Sequence, residues 1–174
     1  MIRLKEHMNI IFVSGIMHGG KSHYIKQELS QYPVYDLWDY QENCESRMDV
    51  YRSYVQLSNA LRIKCVLAKP DDTIVVEHTL AKAKRRLWYL KRLPKNAHKQ
   101  IRWVNPSKEE FIKIWVRDAT HHNKHLSPRW VSQMWDAWQE QAEPPDLDEG
   151  WDSIIEVSPI IDYDAELLHK QWIR

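Results

Sequence analysis

Eight consecutive residues, Gly15-Ile16-Met17-His18-Gly19-Gly20-Lys21-Ser22, carry the spacing G-x-x-x-x-G-K-[ST], and three of the chain's four glycines fall among them. The chemistry of that spacing is phosphate binding. Successive backbone N–H groups of a tight loop and of the helix after it point inward and solvate phosphate oxygens. Lys21 then reaches the β- and γ-phosphates of a nucleoside triphosphate, and the Ser22 hydroxyl ligates Mg²⁺. A second acid fits the same chemistry: Thr73-Ile74-Val75-Val76-Glu77 reads as an apolar strand ending in a carboxylate that polarises the water shell of the metal. The expected cofactors are ATP and Mg²⁺. No N-K-x-D guanine-specificity pattern is present, which counts against a GTPase.

Bulk properties narrow the class. A chain of 174 residues is expected to form one domain over its whole length, too short for a large remodelling ATPase. The formal net charge of +1 argues against coating long nucleic acid by counterion release alone. The charge is nonetheless segregated. Lys82 to Arg102 holds nine Lys and Arg and no acid, and Gln133 to Glu166 holds eleven acids and no Lys or Arg. Such runs are ordinarily solvated faces. A cationic segment beside a phosphate-binding fold is also the natural place for a polyanionic acceptor. Cys44 and Cys65 lack metal or disulfide spacing, and His121, His122 and His125 have no Cys or carboxylate at ligand spacing, so reduced thiols and no zinc site are expected. No apolar stretch approaches the length of a membrane span and the N-terminus is not a signal peptide, so a soluble, cytoplasmic protein without a membrane partner is expected.

The elements that must position these residues alternate along the chain. Ile10 to Val13 reads as a buried strand feeding the loop and Ser22 to Ser30 as the helix leaving it. Further strands are expected at Val34 to Leu37, Thr73 to Glu77, Gln100 to Val104 and Trp151 to Val157. Helices are expected at Arg47 to Lys69, Leu80 to Leu93, Ser107 to about Asp118, Pro128 to Gln141 and Asp162 to Trp172. The alternation predicts an α/β fold, three layers deep, with a five-stranded, mostly parallel sheet. Residues 117–130 span a polar, His-rich stretch between two helices and read as a lid. Trp130, Trp135 and Trp138, at helical spacing, are expected to pack in the core.

With these motifs in place, the chain resembles the polynucleotide kinase-like P-loop kinases, typified by the bacteriophage enzymes that phosphorylate 5′-hydroxyl ends. The loop is similar to the family's ATP loop. Val34-Tyr35-Asp36-Leu37-Trp38-Asp39-Tyr40-Gln41 resembles its second-strand motif, and Val75-Val76-Glu77-His78-Thr79-Leu80 followed by Lys84-Arg85-Arg86-Leu87 resembles its third strand and basic helix. Trp115-Val116-Arg117-Asp118 and Leu126-Ser127-Pro128-Arg129 stand where its lid would be, and Pro144-Pro145 through Ile155 resembles its last loop and strand. The resemblance implies an ATP-dependent kinase acting on a nucleic-acid hydroxyl, with DNA before RNA: a 5′-end or a hydroxymethylated pyrimidine. It assigns Asp39 as general base, with Asp36 the alternative, and Arg117 as lid cation on the transferring phosphoryl with His121 assisting. Thr79 and Arg85 become acceptor contacts. Gln41 stands where the family carries an acceptor-binding Arg, and Glu77-His78 replaces its Asp-Thr. Trp38 and Tyr40 either stack a base beside Asp39 or pack in the core. Two other readings remain: a small-molecule nucleoside, nucleotide or sugar kinase, and an ATP-binding regulatory module without turnover.

Overall fold

The computed structural model describes residues 8–41, 44–121 and 127–159, with the backbone alone for 117–121 and 128. Five strands form one sheet: β1 (Asn9–Gly15), β2 (Val34–Asp36), β3 (Thr73–Glu77), β4 (His98–Val104) and β5 (Ser153–Val157). Their order is β2-β3-β1-β4-β5 and every pairing is parallel. The helices are α1 (Lys21–Glu28), α2 (Arg47–Leu67), α3 (Ala83–Leu90), α4 (Lys108–His121) and α5 (Pro128–Gln141). Parallel strands need helical crossovers, and these cover both faces of the sheet.

The strands show why the layers form. In β1, Ile10 and Phe12 enter one core with Leu57 and Leu61 of α2 and Tyr89 of α3, whereas Ile11 and Val13 enter the opposite core with Tyr24 and Ile25 of α1. Side chains alternate across a strand, so a continuous apolar run signals burial on both sides. In β3, Ile74 and Val76 join the first core and Val75 the second. A third cluster of Ile16, Phe111, Trp115 and Val131 binds α4 and α5 to the loop after β1. The expected α/β fold with three layers and five strands is present, and the sheet is entirely parallel.

Several boundaries differ from expectation for local reasons. The second strand stops at Asp36 because its side chain accepts a hydrogen bond from the Trp38 amide (2.9 Å) and caps a 3₁₀ turn over Leu37–Tyr40. The basic helix begins at Ala83 rather than Leu80. Leu80 is fully buried, its amide donates to Ser14 Oγ (2.9 Å) and its carbonyl accepts from Arg86 Nη1 (2.8 Å), so its backbone groups are committed before a helix can use them. Trp130 is 45% exposed rather than core, while Trp135 and Trp138 are partly buried beside the third cluster. The expected last helix and residues 122–126 of the expected lid lie outside the described residues.

The segregated charges are not two solvated faces throughout. Arg86 is fully buried and spends its guanidinium on five hydrogen bonds: Nε and Nη2 to Glu149 (2.7 and 2.5 Å), Nη1 to the Leu80 and Glu143 carbonyls (2.8 and 2.7 Å), and Nη2 to the Pro144 carbonyl (3.1 Å). Glu143 adds an ion pair with Lys82 (3.2 Å) and accepts from the Ala83 amide (2.8 Å). The basic helix is thereby stapled to the acidic segment before β5. Breaking a buried pair by removing one partner strands the other charge, so Glu149→Ala is expected to lower stability by about 3–5 kcal/mol. Guanidinium unfolding followed by tryptophan fluorescence checks this, and an unchanged midpoint would show that the pair does not hold the segment.

Candidate active site

The site is built where three parallel strands end. β1 ends at Gly15, whose φ of +146° and close approach to β4 exclude a side chain: a Cβ there would sit 2.1 Å from the Val104 carbonyl oxygen. The loop then turns over its own Ile16 carbonyl, which accepts from the Gly19 amide (3.0 Å), and enters α1 at Gly20 with φ +90°. His18 is also left-handed (φ 57°), with its ring 4.4 Å from that of Trp115. Ile16 is buried in the third cluster, so the loop is fixed from beneath.

Lys21 is buried, and its Nζ donates to the Ile16 carbonyl (2.9 Å). Burial lowers its pKa, and the charges of Glu77 and Asp36 oppose that shift. Those two carboxylates are lateral neighbours, because Asp36 of β2 pairs in register with Glu77 of β3. Burial raises the pKa of each. For Glu77 a hydrogen bond from Ser22 and the Lys21 charge oppose the rise, and for Asp36 the Trp38 amide opposes it while Asp39 adds to it. Ser22 Oγ donates to Glu77 Oε1 at 2.7 Å.

These two oxygens fit Mg²⁺, a hard cation that keeps most of its waters and takes only one or two protein ligands beside substrate phosphates. When bound, Mg²⁺ supplies charge neutralisation on phosphate oxygens. Lys21 supplies a second cation, and the amides of the Gly15–Ser22 loop supply oriented dipoles.

A cavity of about 540 Å³ opens over this cluster, and Met17, His18, Gly20, Lys21, Ser22, Asp36, Trp38, Gln41, Glu77 and Thr79 of the expected site residues line it. Gly15, Ile16 and Gly19 are buried and are not among its lining residues. The two acidic candidates separate: Asp36 lines the cavity, whereas Asp39 is exposed and is not among the lining residues. The aromatic pair separates as well. Trp38 is 68% exposed on the cavity rim, and Tyr40 packs against the first core. Gln41 is tied to α2 by a hydrogen bond to Ser53 Oγ (3.2 Å). Arg85 lies outside this cavity, stacked 4.0 Å above the Tyr54 ring. The backbone of α4 carries Arg117 and His121, and their side chains lie outside the described residues.

Sequence reasoning missed His23, Tyr54 and His78, which also line the cavity. Tyr54 reads as one more apolar residue in the α2 stripe. His78 had a usable signal, since it directly follows the carboxyl end of β3, where open α/β sheets hold ligands. Its ring stacks on Tyr54 (5.4 Å, 17°) and meets Tyr89 edge-on, it is 4% exposed, and neither ring nitrogen has a hydrogen-bond partner.

No protein-family model matches this sequence, and no curated protein matches it. Solved structures do resemble the fold. A gluconokinase from Sinorhizobium meliloti 1021 aligns over 98% of this chain and 92% of its own, with 17% identity and a TM-score of 0.58. A structure of the Pnkp1/Rnl/Hen1 RNA repair complex aligns over 81% of this chain and 48% of the other at 10% identity, with a TM-score of 0.61. A sugar kinase from Janibacter sp. HTCC2649 aligns over 96% and 94% at 13% identity, with a TM-score of 0.53. At these identities the likeness is one of fold. This chain shares with them a parallel five-stranded sheet covered by helices.

Burial pushes the His78 imidazole down to about 3. An unfolded histidine titrates near pH 6.5, so between about pH 6.5 and pH 3 the unfolded chain binds a proton that the folded chain refuses. Folded stability therefore falls as acid is added, with this group contributing a slope of at most about 1.4 kcal/mol per pH unit. Guanidinium unfolding of the magnesium-free protein at several pH values in that window measures the slope. His78→Phe is expected to flatten it; an identical slope would assign the acid sensitivity elsewhere.

Proposed function

We propose that this chain is an ATP-dependent phosphotransferase that moves the γ-phosphoryl group to a hydroxyl of a nucleic acid, at a 5′-end or on a hydroxymethylated pyrimidine of DNA. The observation that carries the reading is the gathering of Lys21, Ser22, Glu77 and Asp36 on one cavity at the carboxyl ends of adjacent strands. Phosphoryl transfer needs positioning and charge neutralisation more than covalent help from the protein. The loop amides and Lys21 hold the triphosphate, and Ser22 with Glu77 holds the metal.

Asp36 is the carboxylate best placed to take the acceptor's proton, because it lines the cavity and burial raises its basicity. The acceptor oxygen bonds to the γ-phosphorus as its proton passes to Asp36, the bond from that phosphorus to the β–γ bridging oxygen breaks, and ADP leaves. Asp39 is the alternative base, one turn along. Arg117, with His121, is proposed to meet the transferring phosphoryl from the lid, on their position in the sequence.

A small-molecule acceptor is the second reading. It is favoured by the near full-length likeness to a gluconokinase and a sugar kinase, and by a cleft whose carboxylates suit a neutral polyol or nucleoside. A screen with γ-labelled ATP against 5′-hydroxyl oligonucleotides, hydroxymethylated DNA, nucleosides and gluconate decides between them. Labelling of no acceptor by a protein that binds ATP would support the regulatory module instead. Lys21→Ala is expected to abolish ATP binding. Asp36→Asn is expected to keep ATP binding and to lose about 10²- to 10⁴-fold in transfer rate. Asp39→Asn is expected to lose little; full activity in Asp36→Asn would move the base to Asp39.

A further inference from the structure

A second cavity of about 520 Å³ adjoins the first, and Tyr54, His78 and Thr79 line both. Its chemistry is different. The donor cavity holds two carboxylates, Asp36 and Glu77, whereas the second carries Lys82, Lys84 and Arg85 with Tyr51 and Trp88 and has no carboxylate in its lining. The Lys82 ammonium is shared with Glu143 (3.2 Å), and Arg85 lies 4.0 Å over the Tyr54 ring. Tyr51 is half exposed, and Arg92 covers one face of Trp88 at 3.7 Å. The wall shared by the two cavities includes the buried His78 ring with its two unpartnered nitrogens.

We infer that this second cavity binds an unpaired nucleic-acid strand, taking the phosphate and base next to the reacting nucleotide so that the acceptor hydroxyl passes the Thr79–His78 wall into the donor cavity. The inference rests on the nucleic-acid reading above and specifies its site. Cations without carboxylates attract phosphate, and aromatic faces among them stack splayed bases whatever their sequence. The donor cavity is given to the triphosphate, so the strand has to lie beside it. A neutral sugar or nucleoside would have no use for Lys84 and Arg85 placed beyond the reacting group. Bases within a duplex are stacked on one another and have no face to offer Tyr51 or Trp88, so a single strand is the required form.

The test is fluorescence anisotropy with a labelled, single-stranded deoxyoligonucleotide bearing a free 5′-hydroxyl, titrated across salt concentrations without ATP. Lys84→Ala combined with Arg85→Ala is expected to weaken binding roughly tenfold or more and to flatten the salt slope by about 1.4, at about 0.7 per lost phosphate contact. Lys84→Arg with Arg85→Lys is expected to retain both affinity and slope, and Tyr51→Ala to weaken binding about tenfold with the slope unchanged. ATP affinity equal to the parent's confirms that each variant is folded. The inference is overturned if the double alanine variant binds the strand as the parent does, if blunt duplex binds as tightly as the single strand, or if the parent does not bind the strand. Binding lost as expected in the variants of a parent that transfers no phosphoryl group would keep this site and remove the kinase reading. Equal phosphorylation of a sugar or nucleoside by parent and double alanine variant, with no strand binding, would remove this site and keep the phosphotransferase.

Discussion

A buried ammonium is costly unless charges and lone pairs surround it, and most of the site can be understood as compensation for Lys21. Its partners are the Ile16 carbonyl at 2.9 Å and the charges of Glu77 and Asp36. The backbone partner exists because the loop folds back over Ile16, and the charges exist because β2 and β3 end together in register beside β1. Loop conformation, strand order and acid placement thus answer one electrostatic requirement. The same arrangement leaves two carboxylates with raised pKa values facing a shared cavity, a state that a cation at Ser22 and Glu77 relieves.

The charge segregation has a comparable logic. A basic helix near a phosphate site would repel itself, and the fold neutralises part of it internally through Arg86 and Lys82. That leaves Lys84 and Arg85 facing the second cavity. One stretch of sequence therefore does two physically distinct jobs, divided by which helix face each residue occupies.

Much of this was legible in the amino acids. The loop is a local motif, and continuous apolar runs in Ile10 to Val13 and Thr73 to Glu77 marked strands covered on both faces. What escaped was decided by tertiary partners. Leu80 reads as helix by periodicity, yet Ser14 and Arg86 take its backbone groups. Arg86 reads as one cation among nine, and nothing local shows that Glu149 awaits it across 63 residues. Asp36 and Asp39 were both candidates by type and position, and the 3₁₀ turn capped by Asp36 decides which of them lines the cavity. His78 stood in the motif only as a departure from the family's pattern, and its burial between Tyr54 and Tyr89 is decided by the helices that carry them.

The phosphate loop is complete within the first 22 residues, but its neighbours come from much later in the chain. Gly15 rests against Val104 of β4, and Gly20 lies beside Ile114 of α4 and Pro159 just beyond β5, where an added Cβ would come within 2.9 Å of the proline side chain. Contacts of such wide sequence separation form only after their loop-closure entropy has been met. The loop therefore reaches its final shape only once β4, α4 and the segment after β5 are in place, so the phosphate-binding spacing depends on the finished sheet and not on the local sequence alone.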